Sequence, residues 1–242
     1  MVLRNELGNS TSKQLRNTYP TLVIPLGSTE QHGPHLPLDT DTRIATAVAA
    51  AVTDDLNGSD DASGRYLLAP AIPYGAAGEH EGFPGTISIG SDALTSMLVE
   101  YGRSACGWAQ RLVFVNGHGG NVDALRSAAG RLRSEDRDVA WCACVSADGD
   151  AHAGHTETSV LLYISPLDVR SEDWCRGNEA PLSSLLPVMR SGGGVAAVSE
   201  AGVLGNPTTA TRAEGARIFA DMADGCAHRI RRWNPRGDGF LT

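Results

Sequence analysis

The sequence predicts an α/β fold in which three layers, α/β/α, place helices on both sides of a mostly parallel sheet. Four short apolar segments, each typical of a buried strand, lie at 21–26, 66–72, 111–115 and 139–145. Segments with apolar residues at helical spacing separate them, around 42–56, 91–109 and 121–135. This alternation is typical of βαβ units, whose strands run parallel and whose helices cover the sheet.

The rest of the chain extends this pattern. We expect one helix over 155–164 and a long one within 208–233. The stretch 171–207 is rich in Gly, Ser and Pro, which indicates a loop with one short strand, VAAVS, at 195–199. A length of 242 residues is enough for one large α/β domain with a substantial core. We therefore expect a single domain over 1–242.

The composition argues against two classes of partner. The formal net charge is −8 and the isoelectric point is near 5.3. Nucleic-acid binding needs a clustered positive surface, which this charge balance opposes. No apolar run approaches the roughly 18 residues that cross a bilayer, and the first ten residues lack a signal-peptide core. The expectation is a cytoplasmic protein without nucleic-acid or membrane partners.

The five cysteines are an odd number, which favours reduced thiols over a disulfide framework. Cys142 and Cys144 lie in the apolar segment AWCACVSA with strand-like spacing. Because a free cysteine behaves as a small apolar side chain, we expect both to belong to the core rather than to bind a metal.

Acids and imidazoles follow three of the predicted strands. GSTEQHGPHLPLDTDT (27–42) follows the first strand, NGHGGN (116–121) the third and DGDAHAGHTETS (148–159) the fourth. The carboxyl ends of strands in an open parallel sheet line one crevice. These three loops should therefore converge, although they are distant in sequence.

The side chains in these loops have the chemistry of a hydrolytic metal centre. Glu30 and His32 are two residues apart, so in an extended chain they project to the same side. The complete candidate set is Glu30, His32, Asp41, His118, His152 and Glu157. Carboxylates and imidazoles without thiolates suit Zn²⁺, Mn²⁺ or Fe²⁺ rather than a structural cysteine site. Two such ions bridged by Asp41 would activate a water molecule for attack.

Each residue also has a simpler explanation. Asp39 or Asp41 can cap the helix that begins near residue 42. His118 in its glycine turn can satisfy backbone groups, and Glu157 can be a first-turn acid favoured by the helix dipole. His35 and His155 are placed outside the ligand set, as loop histidines. The argument for a metal site is that three such clusters each follow a predicted strand.

Four motifs together resemble the creatininase family of metal-dependent amidohydrolases, over about residues 20–220. They are GSTEQHGPHLPLDTD, GEHEGFPGTISIG, NGHGGN and AGHTETS. The resemblance implies an α/β/α fold, a centre of two divalent metal ions, and a homo-oligomer that is often a hexamer. It also implies hydrolysis of an amide bond.

The resemblance assigns roles to individual residues. Glu30 and His118 are similar to ligands of one metal, His32 belongs to the other, and Asp41 resembles the bridge. His152 matches the histidine that shuttles a proton between water and the leaving nitrogen.

One position departs from the family pattern. Gly120 stands where true creatininases have a ligand glutamate. The second metal then needs another carboxylate, for which Glu157 is the candidate. The tryptophans that hold creatinine in true creatininases also have no match in the loops around 120 and 152.

Within the family, the likeness is to peptidases that process a modified ribosomal precursor peptide. That likeness implies a peptide substrate, cut so that a modified C-terminal Val-Tyr pair is released. A second hypothesis keeps the metal chemistry but takes a small cyclic amide or a formamide as substrate. A third is a noncatalytic metal-binding scaffold, in which His152 would have no task.

Overall fold

Four parallel strands form the central sheet of the protein, which a computed structural model describes over residues 5–58, 65–146 and 149–242. The strands are β1 (Thr21–Leu26), β2 (Tyr66–Leu68), β3 (Arg111–Asn116) and β4 (Val139–Ala143). Their order is β2-β1-β3-β4, and every pairing between neighbours is parallel. The predicted mostly parallel sheet is confirmed.

Helices connect the strands and follow them. They are α1 (Ser12–Leu15), α2 (Thr40–Gly58), α3 (Gly90–Ala105), α4 (Val122–Ser134), α5 (His155–Ile164), α6 (Leu182–Val188) and α7 (Arg212–Arg232). All five predicted helices are present, with ends shifted by a few residues. No helix within the described ranges is long and apolar enough to cross a membrane.

The sheet is buried on both faces because successive strand side chains point to opposite sides. Leu22 and Ile24 of β1 pack with Phe114 of β3 in a cluster that includes residues of α3 and α4. Val23 and Val113 belong to the opposite cluster, which draws on α2, α5 and α7. The predicted three-layer α/β/α arrangement is therefore confirmed.

Two strand predictions need correction. β2 has three residues rather than seven, and Pro70, which has no N–H to donate, follows where the ladder stops. The predicted strand at 195–199 is wrong, since Val195–Ala197 forms a 3₁₀ helix. Val195 packs with Leu185 and Leu204 in a small separate cluster, so this segment buries its apolar residue without joining the sheet.

The cysteines agree in part with the prediction. All five are free thiols, and Cys142 is fully buried in the core. Cys144 is only partly buried and packs at the edge of the same cluster.

The strand order places a crevice where the candidate site was expected. β1 lies between β2 and β3, so the connection from β1 to β2 and the one from β3 to β4 lead away in opposite directions. Where neighbouring connections diverge in this way, a crevice forms beyond the carboxyl ends of the strands. Gly117 keeps this gap narrow, because a Cβ there would lie 2.5 Å from the carbonyl oxygen of Asp41.

Candidate metal centre

The loops after β1, β3 and β4 meet at this crevice, as predicted. The first loop supplies Glu30 and His32, and α2 begins just before Asp41. His118 follows β3 directly, while His152 and Glu157 come from the loop after β4 and from the first turn of α5. All six predicted residues fall into three groups whose possible ligand atoms lie within 4.8 Å of one another.

The first group consists of Glu30, Asp41 and His118, all buried. The Nδ1 atom of His118 lies 3.2 Å from Oε2 of Glu30 and 3.1 Å from Oδ2 of Asp41. Ligand atoms that sit about 2.1 Å from one tetrahedral ion are about 3.4 Å apart. The spacing of this group therefore suits one divalent cation.

The second group consists of His32, Asp41 and Glu157. The Nε2 atom of His32 lies 3.0 Å from Oδ1 of Asp41 and 3.8 Å from Oε2 of Glu157. Asp41 thus faces the two groups with different oxygens, Oδ2 toward the first and Oδ1 toward the second. A carboxylate that bridges two cations needs this arrangement.

Unsatisfied oxygens test whether a cation fits. Both carboxylate oxygens of Glu30 and Oδ2 of Asp41 are buried and have no hydrogen-bond partner among the described residues. Burying carboxylate oxygens without a partner costs several kcal/mol, roughly. Nearby imidazole nitrogens lie at contact distance but outside hydrogen-bond geometry. A positive ion in contact with these oxygens would remove the cost, so the residues present fit a bound metal.

The outer hydrogen bonds of two histidines direct their free nitrogens inward. The Nδ1 atom of His32 lies 3.1 Å from the carbonyl oxygen of Glu30, and Nε2 of His118 lies 3.3 Å from that of Ala76. A carbonyl only accepts, so each of these ring nitrogens carries the proton. In the neutral ring, the other nitrogen then directs its lone pair into the space lined by the carboxylates, as in metal-binding histidines.

Asp39 and Asp41, which could each cap α2, differ in their contacts. Asp39 bonds to Arg43 at the start of α2, with 2.7 Å between Oδ1 and Nε. Asp41 is 2 % exposed and points into the cluster instead. An ion pair with Arg43 accounts for Asp39 and leaves Asp41 unexplained.

The contacts of Glu157 fit both roles considered for it, that of a metal ligand and that of a first-turn acid of α5. Its Oε2 accepts a hydrogen bond from the backbone N–H of Ala153 at 2.6 Å, which stabilises the start of α5. The same oxygen is the one that faces His32. Burial raises the pKa of Glu157 to about 7, against the opposing effect of His32.

His35 and His155, which we place outside the ligand set, do not belong to the three ligand groups. His35 bonds through Nε2 to the hydroxyl of Thr158, and His155 bonds through Nδ1 to that of Thr209. Burial, followed by repulsion from His32, lowers the pKa of His35 to about 4. Neither ring belongs to one of the three groups.

His152 is buried between two other imidazoles. Its ring centroid lies 4.5 Å from that of His32 and 4.3 Å from that of His80. Its Nε2 lies 2.8 Å from the carbonyl oxygen of Gln31 and 3.0 Å from the side-chain nitrogen of the same residue. The shorter contact is to a carbonyl, which only accepts, and it favours a proton on Nε2 and a lone pair on Nδ1. Nδ1 lies 3.8 Å from Oε1 of Glu30. Burial lowers the pKa of His152 well below its usual value, so this ring is neutral at pH 7.

The charges of the cluster follow from burial and mutual contacts. Burial opposes a charge on His32, but Asp41 outweighs it and raises the pKa of His32 to about 10. His118 behaves in the same way beside Glu30 and Asp41, and its pKa is raised. Burial raises the pKa of Glu30. In the absence of a cation the carboxylates therefore favour protonation of His32 and His118.

Two residues of the site escaped the sequence analysis. His80 ends a 3₁₀ helix (Gly78–His80), and its Nε2 lies 3.2 Å from Oε1 of Glu30. Gln31 reaches both His80 and the carbonyl of Gly202 with its side-chain amide, at 2.9 and 3.0 Å. Burial lowers the pKa of His80 to about 3. The signal for His80 was its place in the motif GEHEGFPG.

Gly120 has no room for the family's glutamate in this backbone. A Cβ at this position would lie 2.3 Å from the carbonyl oxygen of Ala76 and 2.5 Å from Nε2 of His118. Oε1 of Glu79 would be 2.7 Å away. The missing ligand is therefore accompanied by close packing of the loop that carries Ala76 and Glu79.

The fold and the ligand groups define a class, the α/β/α metal-dependent hydrolases. The creatininase (creatinine amidohydrolase) profile matches residues 6–230. The chain belongs to the creatininase family, whose members are hydrolases acting on the C–N bonds of amides.

Relatives and solved structures extend this result. The chain is 67 % identical over 239 residues to the mycofactocin precursor peptide peptidase of Mycobacterium tuberculosis, covering 98 % of this chain and 95 % of that protein. A creatininase variant of the Zn–Zn type has a TM-score of 0.76 at 26 % identity, with 95 % and 98 % of the two chains covered. A manganese creatininase has a TM-score of 0.76 at 25 % identity, with 96 % and 99 % covered.

Proposed function

We propose that this protein is a metal-dependent peptidase that cuts the mycofactocin precursor peptide near its C-terminus and releases the modified C-terminal dipeptide. The observation that carries the proposal is the pair of ligand groups that share Asp41 through its two oxygens. The extensive similarity to peptidases of that precursor supports the substrate. The solved creatininases support hydrolysis of an amide bond.

The residues proposed to hold two divalent cations, Zn²⁺, Fe²⁺ or Mn²⁺, are those of the first two groups. Glu30 and His118 bind one ion, His32 and Glu157 the other, and Asp41 binds both. When bound, such ions polarise an amide carbonyl and make water a nucleophile at neutral pH. The zinc and manganese forms of the related structures support divalent metals without fixing which one this chain uses.

His152 is proposed to move the proton. Its Nδ1 carries the lone pair and faces the carboxylates, so it accepts a proton from the attacking water and returns it to the leaving nitrogen. The contact between Nε2 and the carbonyl of Gln31 supports the tautomer that this task needs. Its low pKa keeps the ring unprotonated before attack.

The shape of the site supports a peptide over a small flat ring. A cavity of about 690 Å³ opens onto Glu30, Asp41, His118, His152 and Glu157. Its lining from the described residues contains histidines but no Trp, Tyr or Phe. Stacking on an aromatic side chain stabilises the binding of a planar ring such as creatinine, and the described residues of these walls include no Trp, Tyr or Phe.

Mass spectrometry tests the substrate. The matured precursor peptide, incubated with metal-loaded enzyme, should lose its modified C-terminal pair faster than the unmodified peptide does. Creatinine, run in parallel under the same conditions, should be consumed more slowly than the modified peptide. Faster turnover of creatinine would reject the peptide in favour of the second function.

That second function is hydrolysis of a small cyclic amide or a formamide by the same metal site. The likeness to solved creatininases supports it. A noncatalytic scaffold is the third hypothesis, and it leaves the buried Nδ1 of His152 without a task. Chelation separates scaffold from enzyme, because an enzyme loses turnover on metal removal and recovers it when metal is restored.

The assignment of Glu157 gives a separate prediction. Glu157→Gln keeps the size of the side chain but removes the negative charge from the second group only. Metal analysis of the purified variant should find one ion per chain retained and the other lost. Glu79→Gln, beside the first group but outside it, is the control and should retain both. Full occupancy in Glu157→Gln would leave this residue as a stabiliser of α5 alone.

A homo-oligomer, in the form of a hexamer, stays a prediction from the family resemblance. Light scattering on the purified protein gives the molar mass directly. A mass of one 25.4 kDa chain would contradict it.

A further inference from the structure

Four of the candidate ligands, Glu30, Asp41, His118 and Glu157, line the first cavity, and Glu157 also lines a second one. The second cavity, of about 830 Å³, shares six lining residues with the first: Gly117, Gly119, Ala151, Glu157, Leu182 and Leu204. Since cavities with common walls are adjacent, the two form one trough that runs past Glu157. A trough open on both sides of the reacting atoms suits a bond in the interior of a chain.

We infer that this trough binds an extended peptide across the metal centre, with the segment after the cut bond in the first cavity and the segment before it in the second. The inference rests on the proposed peptidase function and adds the direction of the substrate. It assigns substrate-binding surfaces to residues of α6 and of the loops after β4 and before α6.

His152 sets the direction. It lines the first cavity and not the second, whereas Glu157 lines both. The group that protonates the leaving nitrogen must lie on the side where that nitrogen departs. The amine half of the substrate, which is its C-terminal part, therefore occupies the first cavity.

The walls of the first cavity select for apolar side chains. Leu182, Leu186 and Met189, from α6 and the turn after it, line the cavity together with Val195. Burying an apolar side chain there gains about 25 cal/mol per Å² removed from water. The released C-terminal part is therefore expected to carry apolar or aromatic groups.

Part of the wall of the second cavity consists of small residues that expose the main chain. Gly117, Gly119, Gly149, Ala180 and Gly205 belong to it, and several of the polar side chains that line the cavity have partners within the protein. Arg176 pairs with Glu179, and Asn178 donates to the carbonyl of Val198. Such a surface admits an extended backbone of little side-chain specificity, which suits the longer N-terminal part of a precursor.

Filling the second cavity tests the direction of binding. Ala180 and Val145 are exposed residues on its walls, so Ala180→Trp and Val145→Trp obstruct it without touching the metal ligands. Two probes are compared, the whole precursor peptide and a short C-terminal fragment that keeps only two residues before the cut. Each filling variant should raise KM for the whole peptide about tenfold or more, with kcat and the fragment's KM unchanged.

Two control variants are measured in the same way. Ala220→Trp, at an exposed position of α7 that lines neither cavity, should behave as wild type with both probes. Leu186→Asn, in the first cavity, should raise KM for both probes alike. Unchanged KM for the whole peptide in both filling variants, or an equal rise for the fragment, would overturn the assignment.

A binding measurement separates this inference from the proposed function. The anisotropy of N-terminally labelled precursor peptide reports binding without turnover. If wild type binds the peptide but never cuts it, the peptidase proposal fails, yet loss of binding in the filling variants still supports the trough. If wild type cuts the peptide and the filling variants bind it as wild type does, the peptidase stands and the trough is rejected.

Discussion

Replacement of Asp41 by Ala should remove both metal ions from the protein and leave it folded. Asp41 is the one residue that belongs to the first and second ligand groups at once, with Oδ1 3.0 Å from His32 and Oδ2 3.1 Å from His118. Without it, each group keeps one carboxylate and one imidazole, too few for a tightly held ion. Turnover should fall to the level of the metal-free enzyme.

The fold should survive because the apolar clusters on the two sides of the sheet do not include Asp41. At the start of α2, Arg43 donates a hydrogen bond to Asp39 and not to Asp41. Circular dichroism of Asp41→Ala should therefore resemble wild type, while elemental analysis gives almost no metal. Urea should unfold the variant at a lower concentration, because the buried partner of His32 and His118 is gone and no bound metal stabilises the fold.

Asp39→Ala is the matched control. It removes a carboxylate two residues away, in the same turn, and leaves the ligand groups intact. Its cost is a surface ion pair, worth about 0–1 kcal/mol. This variant should keep both ions and its turnover. If folded Asp41→Ala still holds two ions per chain, the bridging assignment is wrong.

The sheet was predictable because its strands are short, apolar and buried on both faces. TLVIPL and RLVFV have no polar residue after their first position. Their side chains leave water only if both faces of the strand are buried. Their side chains then divide between two helical layers, with Val23 on one side and Ile24 on the other. Local pattern and tertiary packing agree at these elements, which is the condition for a sequence to reveal its fold.

The region 171–207 shows where local pattern is insufficient. VAAVS has strand composition, but it lies outside the sheet and forms a 3₁₀ turn after glycines with positive φ at 192 and 194. α6 was missed because LSSLLPV is short and contains Pro187. Its place depends on Leu185 packing against Val195 and Leu204. Those partners lie 10 and 19 residues further along the chain, beyond the reach of a local helix or strand pattern.

The ligand groups could be predicted because topology gathers whatever follows parallel strands. Glu30, His32 and His118 each lie within six residues of a strand's carboxyl end. His80 does not, since it ends the 3₁₀ helix Gly78–His80, which follows nine residues, 69–77, that belong to no strand or helix. Only the folded chain brings it against His152 and Glu30. A single sequence carries no sign of such a tertiary contact.

Replacement of His152 by Ala should lower kcat by roughly 10² to 10⁴, the usual size of a general acid–base contribution, and leave the metal content unchanged. The structure makes this a sharp test, because a third group of possible ligands contains Glu30, His32 and His152. In that group His152 would be a ligand, whereas the hydrogen bond from Nε2 to Gln31 and the distance of 3.8 Å from Nδ1 to Glu30 favour a proton carrier.

Metal content and kcat together decide between the two roles of His152. His228→Ala, at an exposed position of α7, controls for loss of an imidazole and should match wild type in both measurements. A proton carrier loses turnover while elemental analysis still finds two ions per chain. A ligand loses an ion, and added metal then restores part of the turnover. Loss of one ion from His152→Ala would place this residue with Glu30 and His32, and the proton would need another carrier, for which His80, in contact with the same Glu30 oxygen, is the nearest imidazole.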